Sequence, residues 1–100
     1  MNPPPRTVRS VSAELFARYQ QMLDPNSHLH WLCTTALEHQ HTLPIDKLSR
    51  WLGFVQGVLH SQGITSSDTE RDFSRPLFHE AYRHEGIEIP PTRNPGSGED

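Results

Sequence analysis

The stretch Ile45–Gly63, IDKLSRWLGFVQGVLHSQG, decides how this chain is read. Ile45, Leu48, Leu52, Val55 and Leu59 recur at intervals of three and four, which predicts a long helix with one apolar face. Trp51, Phe54 and Val58 widen that face beyond what one neighbour needs. Gly53 and Gly57 sit four apart on one side of the same helix, where each costs about 1 kcal/mol of helix propensity. Close backbone approach is the expected compensation. Two settings provide it: packing against the second or fourth helix of the same subunit, or a helix crossing between two copies of the chain. The stretch is therefore expected to be the central packing element, and Trp51, Gly53, Phe54, Gly57 and Val58 form the candidate surface for self-association or a partner.

Working outward, the helix is opened by Pro44 and stopped by Gly63, with apolar Ile64 following, the pattern of a left-handed glycine stop. A fourth helix starts within Thr65–Asp68, where Ser67 with Glu70 three residues on fits a capping box. Phe73, Leu77, Phe78, Ala81 and Tyr82 supply its apolar positions, and Gly86-Ile87 repeats the stop. Pro76 lies inside it and predicts a kink or two short helices. Upstream, a first helix is expected from a Ser12 cap, with Leu15, Phe16, Tyr19, Met22 and Leu23 on its apolar side. Asp24-Pro25 is expected to end it and to cap the second. Leu29, Leu32, Cys33, Ala36 and Leu37 form the second stripe. No segment alternates as a strand does. The fold class is all-α, a compact bundle of about four helices.

The ends differ in composition. MNPPPR and PPTRNPGSGED are rich in proline, glycine and charge and carry no periodic apolar face. This predicts disordered tails over 1–10 and 90–100 around a helical domain over 11–89. About 75–80 residues then remain for a core, a size at which small domains often gain stability by oligomerising.

A net charge of −3 and a pI near 6.1 provide no basic stripe, so nucleic-acid binding is not expected. The single cysteine, Cys33, excludes an internal disulfide and reads as a buried small residue in LHWLCTTAL. No apolar run approaches the ~20 residues of a membrane helix, and the proline-rich start is unlike a secretory signal. A cytoplasmic setting follows as the expectation.

Catalytic signals are weak. Seven histidines suggest a metal, yet His28/His30 and His39/His41 are two apart, which on a helix points them to opposite sides. There is no H-E-x-x-H, no G-x-S-x-G and no phosphate-binding glycine loop. No enzyme activity, metal or cofactor is expected. One polar set stands out. Arg71 and Arg75 project from one helical face, and Arg50 precedes Trp51. They serve either internal pairing with Asp46 or Asp72 across the third and fourth helices, or an anion or nucleotide pocket there.

Lys47–Ile64 and Glu70–Tyr82 together resemble a pattern of small uncharacterised proteins of tailed bacteriophages and prophages, R-W-L-G-F-x-Q-G followed by E-R-D-x-x-R-P-x-F-H. The resemblance covers about a third of the chain and implies a viral setting without implying a reaction. The expected function is that of an accessory protein acting by protein–protein association, with itself as a homodimer or higher oligomer and with a host or phage protein. The alternative expectation is an oligomeric binder of a phosphorylated small molecule or nucleotide through Arg50, Arg71 and Arg75.

Overall fold

The computed structural model describes residues 4–88. Its four helices are α1 (Val8–Gln20), α2 (His28–Glu38), α3 (Ile45–Ser61) and α4 (Ser67–Glu85), joined by short loops. Among the described residues there is no strand, and the all-α bundle read from the sequence is the observed fold.

The hub of the bundle is α1, where the sequence pointed to α3. Val11, Leu15, Phe16 and Tyr19 of α1 are fully buried, and α1 packs on each of the other three helices. The misreading began at the N-terminus of this helix. Thr7, not Ser12, is the cap: its hydroxyl accepts from the Ser10 amide at 3.0 Å, while Ser10 Oγ accepts from the Thr7 amide at 2.8 Å. This reciprocal pair is a capping box with serine in place of the usual glutamate. Ser12 lies in the second turn, buried, donating to the Val8 carbonyl at 2.9 Å. Residues 8–10, assigned to a tail from composition, are therefore helix. Residues 4–7 precede the helix, with Thr7 capping it and Arg6 paired to Glu14 and Glu80, and tail positions 1–3 and 90–100 lie outside the described residues.

The start of α2 also shifts. Asp24 Oδ1 accepts from the Asn26 amide at 2.9 Å, so the aspartate folds a local turn instead of capping. Ser27 caps instead, accepting from the His30 amide at 3.1 Å. Leu32, Cys33 and Ala36 are buried, as their stripe predicted. Arg9 of α1 donates to the Gln40 carbonyl at 2.7 Å and to the Leu43 carbonyl, fastening the α2–α3 loop to the hub.

Leu48, Leu52, Val55 and Leu59 of α3 face the core. After Ser61 the chain stops as expected. Gly63 takes φ 73°, its amide donates to His60 O at 3.0 Å, and the Ile64 amide donates to Leu59 O at 3.0 Å. These two bonds satisfy carbonyls that the helix end would leave orphaned. Gly86 and Ile87 repeat the device at the end of α4, with φ 71° and a 2.8 Å bond from Ile87 N to Tyr82 O.

The cap of α4 is Ser66, which accepts from Thr69 N at 3.1 Å, so Ser67 and Glu70 do not form the expected box. Pro76 neither splits nor ends this helix. Pro76 and Asp72 are both on the exposed side, so water can serve the carbonyl that the proline leaves without its donor. α4 runs antiparallel to α1. At one end Arg18 pairs with Glu70; at the other Arg6 pairs with Glu80 at 2.8 Å and Glu85 accepts from the Val8 amide at 3.1 Å.

Candidate functional site

The side of α3 turned away from the core carries Gly53, Phe54 and Gly57, all exposed, with Phe54 at 55%. A Cβ built on either glycine meets nothing within 4 Å. Tight packing against α2 or α4 is thus not what these glycines serve. Of the other residues in the predicted surface, Trp51 and Val58 are half-buried at its border. Trp51 packs on the core, with the Lys47 ammonium 5.4 Å from its ring.

Between α3 and α4 the surface sinks into a cleft of about 360 Å³, lined by Gly53, Gln56, Gly57, Ser67, Glu70, Arg71 and Ser74. Gly53, Gln56 and Gly57 come from the R-W-L-G-F-x-Q-G stretch, and Glu70 and Arg71 from E-R-D-x-x-R-P. The two stretches quoted above meet in one place.

Beneath the cleft lies a polar network that sequence reasoning missed, because half of it comes from α1. Glu70, with its side chain 4% exposed, accepts from Arg18 Nε at 3.0 Å and Nη2 at 3.2 Å, and also from Thr65 Oγ1. Burial pushes the Glu70 carboxyl up, but hydrogen bonds from Arg18, Thr65 and Tyr19, with the Arg18 charge, outweigh it and hold the group below its usual range. The bond to Glu70 raises Arg18 in turn. Arg18 also lies 4.0 Å from the centroid of the Phe73 ring, a cation–π contact. Tyr19 accepts from Gln56 Nε2 at 2.8 Å, which fixes the Gln56 amide, and burial raises the phenol above its ordinary value. The available signal was the distance-free fact that Glu70 is an acid on an otherwise apolar helical face; its partner could not be read locally.

Of the three arginines, Arg71 alone lines the cleft. Arg50 sits 3.6 Å from Asp46 within α3 and Arg71 2.9 Å from Asp68 within α4, so neither pair crosses between the helices as expected. Arg75 is exposed and makes no ion pair among the described residues.

Cys33 is fully buried, and burial pushes its thiol up to about 11, which leaves it protonated and poorly nucleophilic near neutral pH. Among the described residues no group of three or more His, Cys, Asp or Glu side chains is gathered as a metal site. His60 has a structural use instead: its Nδ1 accepts from the Ser67 amide at 3.0 Å, covering a free donor at the start of α4. No helix among the described residues is long and apolar enough to cross a membrane. Compared with protein-family models, with curated proteins and with solved structures, the chain matches none.

Proposed function

We propose that this protein works by association, as a phage-type accessory module that pairs with itself and with a host or phage protein through the outer face of α3. The observation that carries the reading is the pair Gly53 and Gly57. Each weakens the helix by about 1 kcal/mol relative to alanine, and no neighbour among the described residues needs the space at its Cβ. An apposed backbone from outside gives that space a use. Phe54 stands beside the glycines, more than half exposed, as an apolar anchor of the kind that dominates interfaces. The setting proposed is the cytoplasm of a bacterial host, on the grounds of a single cysteine and the resemblance to tailed-phage proteins.

In this reading the chain is a binding protein and not an enzyme. The one buried carboxylate among the described residues, Glu70, is held ionised by Arg18, whereas a general acid or base needs a pKa near the working pH. Light scattering over a concentration series tests the proposal. The wild type is expected to form a dimer or larger species, and Phe54→Ser and Gly57→Leu are expected to be monomeric. The Gly57→Leu monomer should nevertheless unfold at a higher temperature than a Phe54→Ser monomer, because within one chain leucine is the better helix former and its Cβ meets nothing within 4 Å among the described residues. A wild type that stays monomeric at every concentration overturns self-association.

A further inference from the structure

Ser74 is 92% buried in the sense that only 8% of it is exposed, and it lines the α3–α4 cleft. A buried serine inside a helix can satisfy its hydroxyl on the carbonyl one turn toward the amino terminus. Ser12 does so on Val8 at 2.9 Å, and Thr34 on His30 at 3.0 Å. Ser74 makes no side-chain hydrogen bond among the described residues. No fully enclosed side-chain nitrogen or oxygen among them lacks a partner, so the Ser74 hydroxyl keeps some access, and the cleft is where that access lies.

Its neighbours in the cleft extend the same chemistry. Ser67, Arg71 and Ser74 are spaced four and three apart and so share one face of α4. Two hydroxyls thus flank a guanidinium. Ser67 is the first residue of the helix, where the backbone dipole favours negative charge. Glu70 also lines the floor, but Arg18 neutralises it at 3.0 Å. Asp68 holds Arg71 at 2.9 Å in an exposed pair, a weak contact that a bound oxyanion can exchange. On the opposite wall Gln56 is oriented by Tyr19, and the bare backbone of Gly53 and Gly57 leaves room for a flat body. The volume of about 360 Å³ is at the small end of ligand sites.

We infer that the α3–α4 cleft binds a small phosphate monoester, with the phosphoryl oxygens on Ser67, Arg71 and Ser74 and the body of the molecule against Gln56, Gly53 and Gly57. The inference does not rest on association: Ser74 and Arg71 belong to the cleft alone and Phe54 to the association surface alone, while Gly53 and Gly57 are shared, so that a partner packed on the glycines and a ligand body compete. It also replaces the expected trio of arginines by one arginine and two serines.

The test is titration of the full chain with adenosine monophosphate, inorganic phosphate and adenosine, followed by calorimetry and thermal unfolding. Adenosine monophosphate is expected to bind saturably and raise the melting temperature, phosphate to bind more weakly, and adenosine not to bind. Arg71→Gln and Ser74→Ala should each weaken adenosine monophosphate by about tenfold or more, the loss expected for one hydrogen bond to a charged group. Arg75→Ala should bind as the wild type does, and Phe54→Ser, without a partner over the shared glycines, should bind at least as tightly, which separates this site from the association surface. Absence of binding by both phosphorylated probes, binding of adenosine equal to that of its phosphate, or binding indifferent to both Arg71→Gln and Ser74→Ala would each overturn the inference.

Discussion

Replacing Arg18 by methionine isolates the contact on which the α1–α4 seam depends. Methionine keeps an apolar stem over Phe73 but removes the guanidinium that meets Glu70 at 3.0 Å and 3.2 Å. Glu70 is then left 4% exposed with only Thr65 and Tyr19 as donors. Breaking a fully buried pair by removing one partner costs about 3–5 kcal/mol, while an exposed pair is worth under about 1. Arg18 itself is 29% exposed, so water can partly replace it, and the expected cost is about 2–3 kcal/mol. For a domain of this size that corresponds to a fall in melting temperature of roughly 10–20 °C.

The pH dependence gives the sign a second check. Because the folded Glu70 carboxyl is held below its ordinary value, the unfolded chain binds more protons in the acid range, and stability rises with pH there. The contribution is complete above the unfolded pKa of about 4.3 and is lost as pH falls through the lower folded value. Thermal unfolding at neutral and acid pH is the assay. Arg18→Met should lose most of its deficit in acid, and Glu70→Gln should flatten the acid limb of the wild-type curve. A deficit below about 0.5 kcal/mol at pH 7, or one unchanged in acid, would show that the network is idle and refute the reasoning.

Three further predictions concern the core, a helix end and the open glycine of α3. Cys33 should resist thiol reagents in the folded protein at mildly alkaline pH and react at once in denaturant, since burial both covers the thiol and pushes it up to about 11. Gly63→Ala should lower stability by about 1 kcal/mol or more in urea unfolding, because φ 73° strains any residue with a Cβ although space is open around it. Gly57→Ala, in a regular helix and equally open, should move a monomer in the opposite direction, by up to about 1 kcal/mol.

The apolar stripes and the glycine stops were legible because both are local. Leu48, Leu52, Val55 and Leu59 needed only the helical period, and Gly63-Ile64 and Gly86-Ile87 only the left-handed rule. Helix starts were less legible, since Thr7, Ser10 and Ser12, or Asp24 and Ser27, offer several oxygens capable of capping and only the assembled fold selects among them. The hub role of α1 was hidden by the same error, which consigned its first turn to a tail. The glycines of α3 were correctly singled out as unusual, but their surroundings depend on where α4 crosses, and that is not written in α3. Arg18 and Glu70 lie 52 positions apart, so no local pattern could join them.

The antiparallel seam of α1 and α4 joins the first of the four helices to be synthesised with the last. While the ribosome is still making α4, Arg18 has no carboxylate, the Val8 amide has no Glu85, and part of the α1 surface has no cover. The emerging chain can close α1 on α2 and α3, but it cannot complete the bundle until α4 has emerged. The seam is then the last contact set between helices that can form, and it closes loops of up to 77 positions among the described residues. A chain cut short within α4 would keep its hub and lose its latch, presenting to the cell an N-terminal helix that remains open to whatever apolar surface arrives first.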